Sequence, residues 1–442
     1  MAGAFKAYDI RGVYPKDLDE ETARRIGFAI ARSLGARRLV AGRDMRLSAP
    51  SMHAAAVEGA RRAGADVIDI GLASTPMTYF AIGSLGTDGG FQVTASHNPP
   101  EYVGFKVCRR DAVPVGGESG LAGIEAEVRS GRPLPPAATG RVESRDVLGD
   151  FARHVLRFAG EVRPFRVVID AGNGMGGYTL PPILEQLPVR VTRLFFEPDG
   201  SFPNHEADPL KDENLAPVQE AVRRERADLG VAFDGDADRC IFVDEQGGRV
   251  GCDLITALIA RDLLRTWKGP IVYDLRSSRV VPETIRESGG TPVRERVGHA
   301  FIKATMRRTG SRFGGELSGH FYFGDNWTCD SGEIALVRML TLLSAEGRPF
   351  SEVLRPLRRT VTSGELNFRV ADKDAKLEEL AAAFPDAEVD RLDGITVQYP
   401  DWWCNVRPSN TEPVLRLNLE ASDRATFDRA RARVLAMLGR PL

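Results

Sequence analysis

The chain has 442 residues, more than the roughly 250–300 that one hydrophobic core supports, so several domains are expected. Hydrophobic residues at 43% and charged residues at 27% exclude wholesale disorder. Lys+Arg 59 against Asp+Glu 61 leaves a net charge of −2, which argues against nucleic acid or an anionic membrane as partner. No apolar stretch reaches the roughly 18 residues of a membrane helix, and the opening MAGAFKAYDIRG lacks the apolar core of a signal peptide. Cys108, Cys240, Cys252, Cys329 and Cys404 are scattered and never spaced C-x-x-C. They give neither a zinc cage nor a disulfide framework, and a reducing cytoplasm is the expected setting. Only eight lysines stand against fifty-one arginines, so a retained lysine can mark a place where a compact ammonium matters.

Along the chain, strands and helices alternate. Arg38 to Gly42 and Asp66 to Ile70 read as strands, Ser51 to Ala63 as a helix, and Phe91 to Thr94 as a strand running into the loop Ala95 to Pro100. Gly131 to Thr139, rich in Pro, Ala and Gly, reads as a linker. The pattern restarts with a helix from Val147 to Phe158, the strand Arg166 to Asp170, a tight turn at AGNGMGG, and Asp228 to Phe233 ending at an acidic loop. It restarts again with a helix from Cys252 to Leu264, a strand Ile271 to Leu275 and a strand near Val293. The last stretch differs. Ile395 to Tyr399 and Trp402 to Val406 read as adjacent strands, Val414 to Leu419 alternates as a half-buried strand, and Ser422 is placed to cap a final helix through Met437. The expectation is three similar α/β domains with mixed sheets (1–140, 141–248, 249–357) and a C-terminal α+β domain (358–442) around a central cleft.

Each unit sets a polar loop directly after a strand, where α/β sheets bind ligands. Asp234, Asp236 and Asp238 alternate in DGDADR between apolar runs, and three such carboxylates can face one point. A hard divalent cation would relieve their repulsion; an acidic solvated turn is the plainer reading. A calcium loop of the EF-hand kind is a poorer fit, because position six is Arg239 rather than Gly and the flanks read as strands. Arg239 suits a phosphate held beside the metal. In TASHNP the Asn-Pro step ends regular structure and leaves Ser96 as an accessible hydroxyl, with no Ser-His-Asp arrangement or G-x-S-x-G elbow evident. Beside a metal triad its simplest use is as a phosphate carrier that completes the metal shell. Arg407 to Pro413 offers a guanidinium, hydroxyls and an amide for phosphate, or is a polar hairpin. In GELSGH, Glu316 and Ser318 can meet sugar hydroxyls, and His320 can shuttle a proton near neutral pH; His320 and His299 can equally be structural.

Together these segments resemble the α-D-phosphohexomutase family, phosphomannomutase/phosphoglucomutase branch. The resemblance runs nearly end to end, through AYDIRG, GRDMRLS, TASHNP, DGDADR, VGHAFIK, GELSGH and RPSNTEP. It implies four domains around a cleft and an enzyme that interconverts hexose 1-phosphate and hexose 6-phosphate, of mannose or glucose, through a hexose 1,6-bisphosphate. It implies Ser96 as phosphoserine and Mg2+ held by Asp234, Asp236, Asp238 and the Ser96 phosphate. It implies Glu316 and Ser318 as sugar readers, and Arg407, Ser409, Asn410 and Thr411 as the grip on the non-reacting phosphate. Tyr8, Arg11, Lys106, Arg239, His299 and His320 match cleft residues, and Lys106 and His320 are the candidates for proton transfer. Where relatives commonly carry Lys, this chain has Arg276, which keeps the charge but changes the geometry. A phosphoglucosamine mutase, and a metal-dependent sugar-phosphate binder without turnover, are the alternatives. Monomer and homodimer both stay open.

Overall fold

The computed structural model describes residues 3–6, 9–409 and 414–442, the side chain of Glu118 aside. The expected sites Tyr8, Asn410 and Thr411 lie outside the described residues.

Four sheets follow one another along the chain. The first has the strand order Ile10–Val13, Tyr102–Arg109, Gly89–Val93, Arg38–Arg43, Asp66–Leu72, Val142–Ser144, with Val113–Pro114 added to Tyr102–Arg109. Val142–Ser144 pairs in parallel with Asp66–Leu72, so the first sheet reaches past the Pro-rich linker. The second is Cys240–Asp244, Leu229–Phe233, Phe165–Asp170, Val189–Leu194, and the third is Thr291–Glu295, Pro270–Asp274, Phe313–Gly315, Phe321–Phe323, Cys329–Asp330. The fourth, Val361–Phe368, Leu415–Ala421, Trp402–Pro408, Ile395–Gln398, Glu388–Asp390, is antiparallel throughout.

The four functional loops share one local design. Each joins a strand to its antiparallel neighbour: Gly89–Val93 to Tyr102–Arg109, Leu229–Phe233 to Cys240–Asp244, Phe313–Gly315 to Phe321–Phe323, and Trp402–Pro408 to Leu415–Ala421. A hairpin connection holds both loop ends in register, so side chains on it are aimed by two hydrogen-bonded strands. Strands on both sides of DGDADR also remove the calcium-loop reading, which needs helices there.

One apolar core runs through the first three domains, from Val40 and Met77 through Val167 and Phe233 to Ile255 and Leu336. The first domain has a second core around Ile30, Phe91 and Phe105. The fourth domain has its own, around Phe368, Trp402 and Phe427. The helix Gly332–Glu346 is buried along most of its length where the first three domains meet. Two expectations change in the fourth domain. The final helix, Arg424–Leu438, is capped by Asp423, whose carboxylate accepts the Thr426 N–H. The strand Leu415–Ala421 is buried on both faces, because its polar side packs on the third domain: the Glu420 carboxylate accepts the Ser278 hydroxyl, the Arg279 N–H and the Trp403 indole N–H.

Candidate active site

Ser96 is not the accessible hydroxyl that its Asn-Pro loop suggests; it is 2% exposed. The cause is Arg46, fully buried, whose guanidinium donates to the carbonyls of Ser96, Asn98, Pro99 and Tyr102 and folds the loop inward. The acidic loop of Asp234, Asp236 and Asp238 then closes over it. A Cβ on Gly235 would stand 2.5 Å from the Ser96 carbonyl oxygen, so only glycine permits the approach. Ser96 and Ala237 both take positive φ, 50° and 62°, a cost that functional loops carry when surrounding contacts enforce it.

Buried this way, the Ser96 hydroxyl donates to Asp234 Oδ2 at 2.8 Å, and His97 Nδ1 lies 3.2 Å from it. Asp234, Asp236 and Asp238 are each at most 1% exposed, and one oxygen of each lies within 4.8 Å of the others. Lys106 Nζ donates to Asp236 Oδ2 at 2.7 Å and to Asp238 Oδ2. Thr75 donates its hydroxyl to Asp236 Oδ2 at 2.5 Å. Burial and the two acidic neighbours push Asp234 well above the usual carboxylate range. Burial pushes the other two the same way, but it is outweighed at Asp236 by Lys106 with the Thr75 hydroxyl and at Asp238 by Lys106, His320 and Arg239 together, so both fall below the usual carboxylate range. Burial lowers the Lys106 pKa, but Asp236, Asp238 and Asp234 together outweigh it and raise it above the usual lysine range. Asp236 Oδ1 is buried and accepts no hydrogen bond among the described residues. Three converging buried carboxylates with an unused oxygen are a donor set that fits a hard divalent cation.

His320 extends the site into the third domain. Its Nε2 lies 3.5 Å from Asp238 Oδ1 and 3.9 Å from Asp330 Oδ2, and its Nδ1 lies 3.1 Å from Glu316 Oε2 and 2.9 Å from Ser318 Oγ. Arg239 Nε lies 3.2 Å from His320 Nε2, a contact of like charges set among carboxylates. Burial and Arg239 pull the imidazolium down, but Asp238 and Glu316 outweigh them and hold its pKa at about 9. With these carboxylates around it the ring favours the imidazolium form. His299 is the opposite case: burial, with Lys303, Lys106 and His320 nearby, pushes its pKa down to about 3. Glu316 accepts the Gly298 N–H and the Tyr322 hydroxyl.

On the other flank, Arg11 reaches Asp9 and Asn98. Arg276 is held by Asp274 through two nitrogens, at 2.7 and 3.2 Å, while Asp274 also accepts the Leu317 N–H at 2.7 Å. Arg407, 2% exposed, lies 3.2 Å from Glu365, and the Ser409 N–H donates to the Val414 carbonyl at 2.9 Å. A polar chain thus crosses all four domains: Ser96, Asp234, the Asp238–His320–Glu316 group, Leu317, Asp274, Arg276, Glu365, Arg407. Sequence reasoning missed Arg46, Thr75, Asp330 and Glu365. Arg46, Thr75 and Glu365 act through residues distant in the chain, Thr75 on Asp236 across 161 positions, and Asp330 through Lys303 and His320 of its own domain; only Arg46 sits in a segment, GRDMRLS, that carries the family resemblance.

Four family models match in order: phosphoglucomutase/phosphomannomutase α/β/α domain I over residues 2–134, domain II over 150–248, domain III over 252–360, and the C-terminal domain over 365–437. The chain belongs to the phosphoglucomutase/phosphomannomutase family. A phosphomannomutase of Escherichia coli is 37% identical over 98% of both chains. A phosphoglucomutase of Neisseria gonorrhoeae is 38% identical over 98% of this chain and 96% of its own. The crystal structure of a phosphoglucomutase/phosphomannomutase family protein from Burkholderia thailandensis superposes with a TM-score of 0.91 at 35% identity, covering 99% of this chain and 98% of that one. The family assignment makes the chain a phosphohexomutase, an enzyme of the isomerase class that moves a phosphoryl group on a hexose phosphate. Among the described residues no helix is long and apolar enough to cross a membrane.

Proposed function

We propose that the protein interconverts the 1- and 6-phosphates of mannose and glucose, with Ser96 carrying the phosphoryl group and a hexose 1,6-bisphosphate as intermediate. The observation that carries the reading is the convergence of the Ser96 hydroxyl on Asp234, inside a buried aspartate triad gripped by Lys106. Relatives named for each of the two sugars support a shared substrate range.

In this reading the P–O bond to Ser96 breaks as one forms to the free hydroxyl of a hexose monophosphate. The attacking hydroxyl loses a proton and the departing Ser96 oxygen gains one; Lys106 and His320, both protonated, are the candidate relay, giving a proton to Ser96 and taking the hydroxyl's in return. The bisphosphate reorients, its other phosphoryl group returns to Ser96, and the isomeric monophosphate leaves. Asp234, Asp236, Asp238 and the Ser96 phosphate would hold a magnesium ion, which supplies charge stabilisation for the transferring phosphoryl group. Arg239 and Arg11 offer guanidinium to the same group, while Glu316 and Ser318 meet the sugar. Arg276, Arg407 and Ser409 hold the other phosphate, with His299 at the cleft; the family resemblance assigns Asn410 and Thr411 to the same phosphate and Tyr8 to the cleft, all three outside the described residues.

Steady-state kinetics with mannose 1-phosphate, glucose 1-phosphate and glucosamine 1-phosphate test the substrate range. The reading expects turnover of the first two and little of the third; a clear preference for the amino sugar replaces it with a phosphoglucosamine mutase. Ser96→Ala is expected to lose at least ~10³-fold in kcat with an unchanged circular dichroism spectrum. Substantial turnover in that variant would reject the carrier role.

A further inference from the structure

Glu365 was not singled out by any sequence motif, yet three arginines meet on its carboxylate. Oε2 lies 3.2 Å from Arg407 Nη2 and 3.4 Å from Arg276 Nη1, and Oε1 lies 3.1 Å from Arg416 Nη1. Arg276 belongs to the third domain; Arg407 and Arg416 come from adjacent strands of the fourth. The backbone is bent to make this meeting. The strand Val361–Phe368 slips register between Thr362 and Glu365, and Gly364 there takes φ of 64°. An irregularity of this kind re-aims the side chain that follows it.

Guanidiniums this close repel, and Arg407 is almost wholly desolvated. Burial and its two arginine neighbours work against the Arg407 charge and lower its pKa, and Glu365 with Asp393 offsets them only in part. Arg407 Nε is buried with no hydrogen-bond partner among the described residues, so the guanidinium keeps unspent donor capacity. A carboxylate beside a phosphate subsite has two opposed effects: it repels the dianion, and it fixes the cations that bind it. Both Glu365 oxygens face guanidinium nitrogens, and the three cations it gathers include one from across the domain seam. Fixing donors before the ligand arrives strengthens binding in ground and transition states alike.

We propose that Glu365 is a positioning residue for the phosphate grip, gathering Arg276 of the third domain with Arg407 and Arg416 of the fourth and so setting the affinity for the non-reacting phosphate. This rests on the reading of Arg407 as a phosphate contact. The test is kinetics of Glu365→Gln, Glu365→Asp, Arg276→Met and Arg407→Met with glucose 1-phosphate and mannose 1-phosphate, with inorganic phosphate as competitive inhibitor. Glu365→Gln is expected to raise both KM values and the phosphate Ki about tenfold, with kcat within about twofold. Glu365→Asp should recover part of that loss, and Arg276→Met should add little on the Glu365→Gln background. KM unchanged or lowered, or kcat falling as far as KM rises, overturns the proposal; thermal melting shows whether each variant is folded, and Glu365→Asp decides if Glu365→Gln is not. If Arg407→Met leaves KM and Ki untouched, the phosphate-grip reading fails. If Arg407→Met raises both and Glu365→Gln does not, this inference alone fails.

Discussion

Ser96 and Asp234 sit 138 positions apart in the chain and 2.8 Å apart in space. Almost everything around them serves to keep that pair dry and aligned. Arg46 spends four hydrogen bonds on the backbone of the serine loop, and Thr75 spends its hydroxyl on Asp236. Outer partners of ligating carboxylates typically matter by 10–100-fold in metal affinity. Thr75→Val should therefore raise the magnesium concentration for half-maximal activity about tenfold, with the same kcat at saturating metal. An unchanged magnesium titration would remove Thr75 from the support of the site.

The helix Gly332–Glu346 is the element that ties the first three domains together. Its Glu333, fully buried and without an ion pair among the described residues, accepts the hydroxyls of Thr179 at 2.9 Å, Ser74 at 3.3 Å and Ser331 at 2.8 Å. Ser74 caps the helix Thr75–Ser84, so this carboxylate lies one residue from the Thr75 contact on Asp236. Burial, partly offset by these hydrogen bonds, raises the pKa of Glu333 from 4.5 to about 7. Between those values the folded chain binds the proton that the unfolded chain has lost, so stability falls as pH rises through the window. Glu333→Gln removes this titration. Its stability relative to the parent should rise by up to about 3 kcal/mol from pH 4.5 to 8, read by urea unfolding. A difference flat with pH would show that Glu333 does not titrate there. The four loops at strand ends were legible in the sequence because each packs its polar groups into a short run between apolar strands. Glu333 and Glu365 were not, since a glutamate in a helical or strand run looks like surface until a second domain meets it, and Asp330 was not, because its partners Lys303 and His320 are brought to it only by the fold. The burial of Ser96 escaped for the same reason: Asn-Pro signals a loop, and only Arg46 turns that loop inward.

At the scale of the molecule, the first three domains share a core and the fourth keeps its own. The fourth domain meets the rest through polar contacts: Glu420 on Ser278 and Arg279, Glu365 on Arg276, and Asp393 on the Val297 N–H. Domains joined this way move more readily than domains sharing a core, and closure of the fourth over the cleft would exclude water from phosphoryl transfer. Glu420→Ala leaves two buried donors and one part-buried donor without their acceptor and should cost about 2–4 kcal/mol. Urea unfolding followed by tryptophan fluorescence, to which Trp402 and Trp403 of the fourth domain contribute with Trp267 and Trp327 of the third, checks this; an unshifted midpoint would show that the seam is held elsewhere. The most direct test of the whole account is to charge the protein with labelled glucose 1,6-bisphosphate and map the label by peptide mass spectrometry. The account predicts one phosphoryl group on Ser96, discharged when a hexose monophosphate is added with magnesium. Mutase turnover with the label on another residue, or with none on the protein, would contradict it.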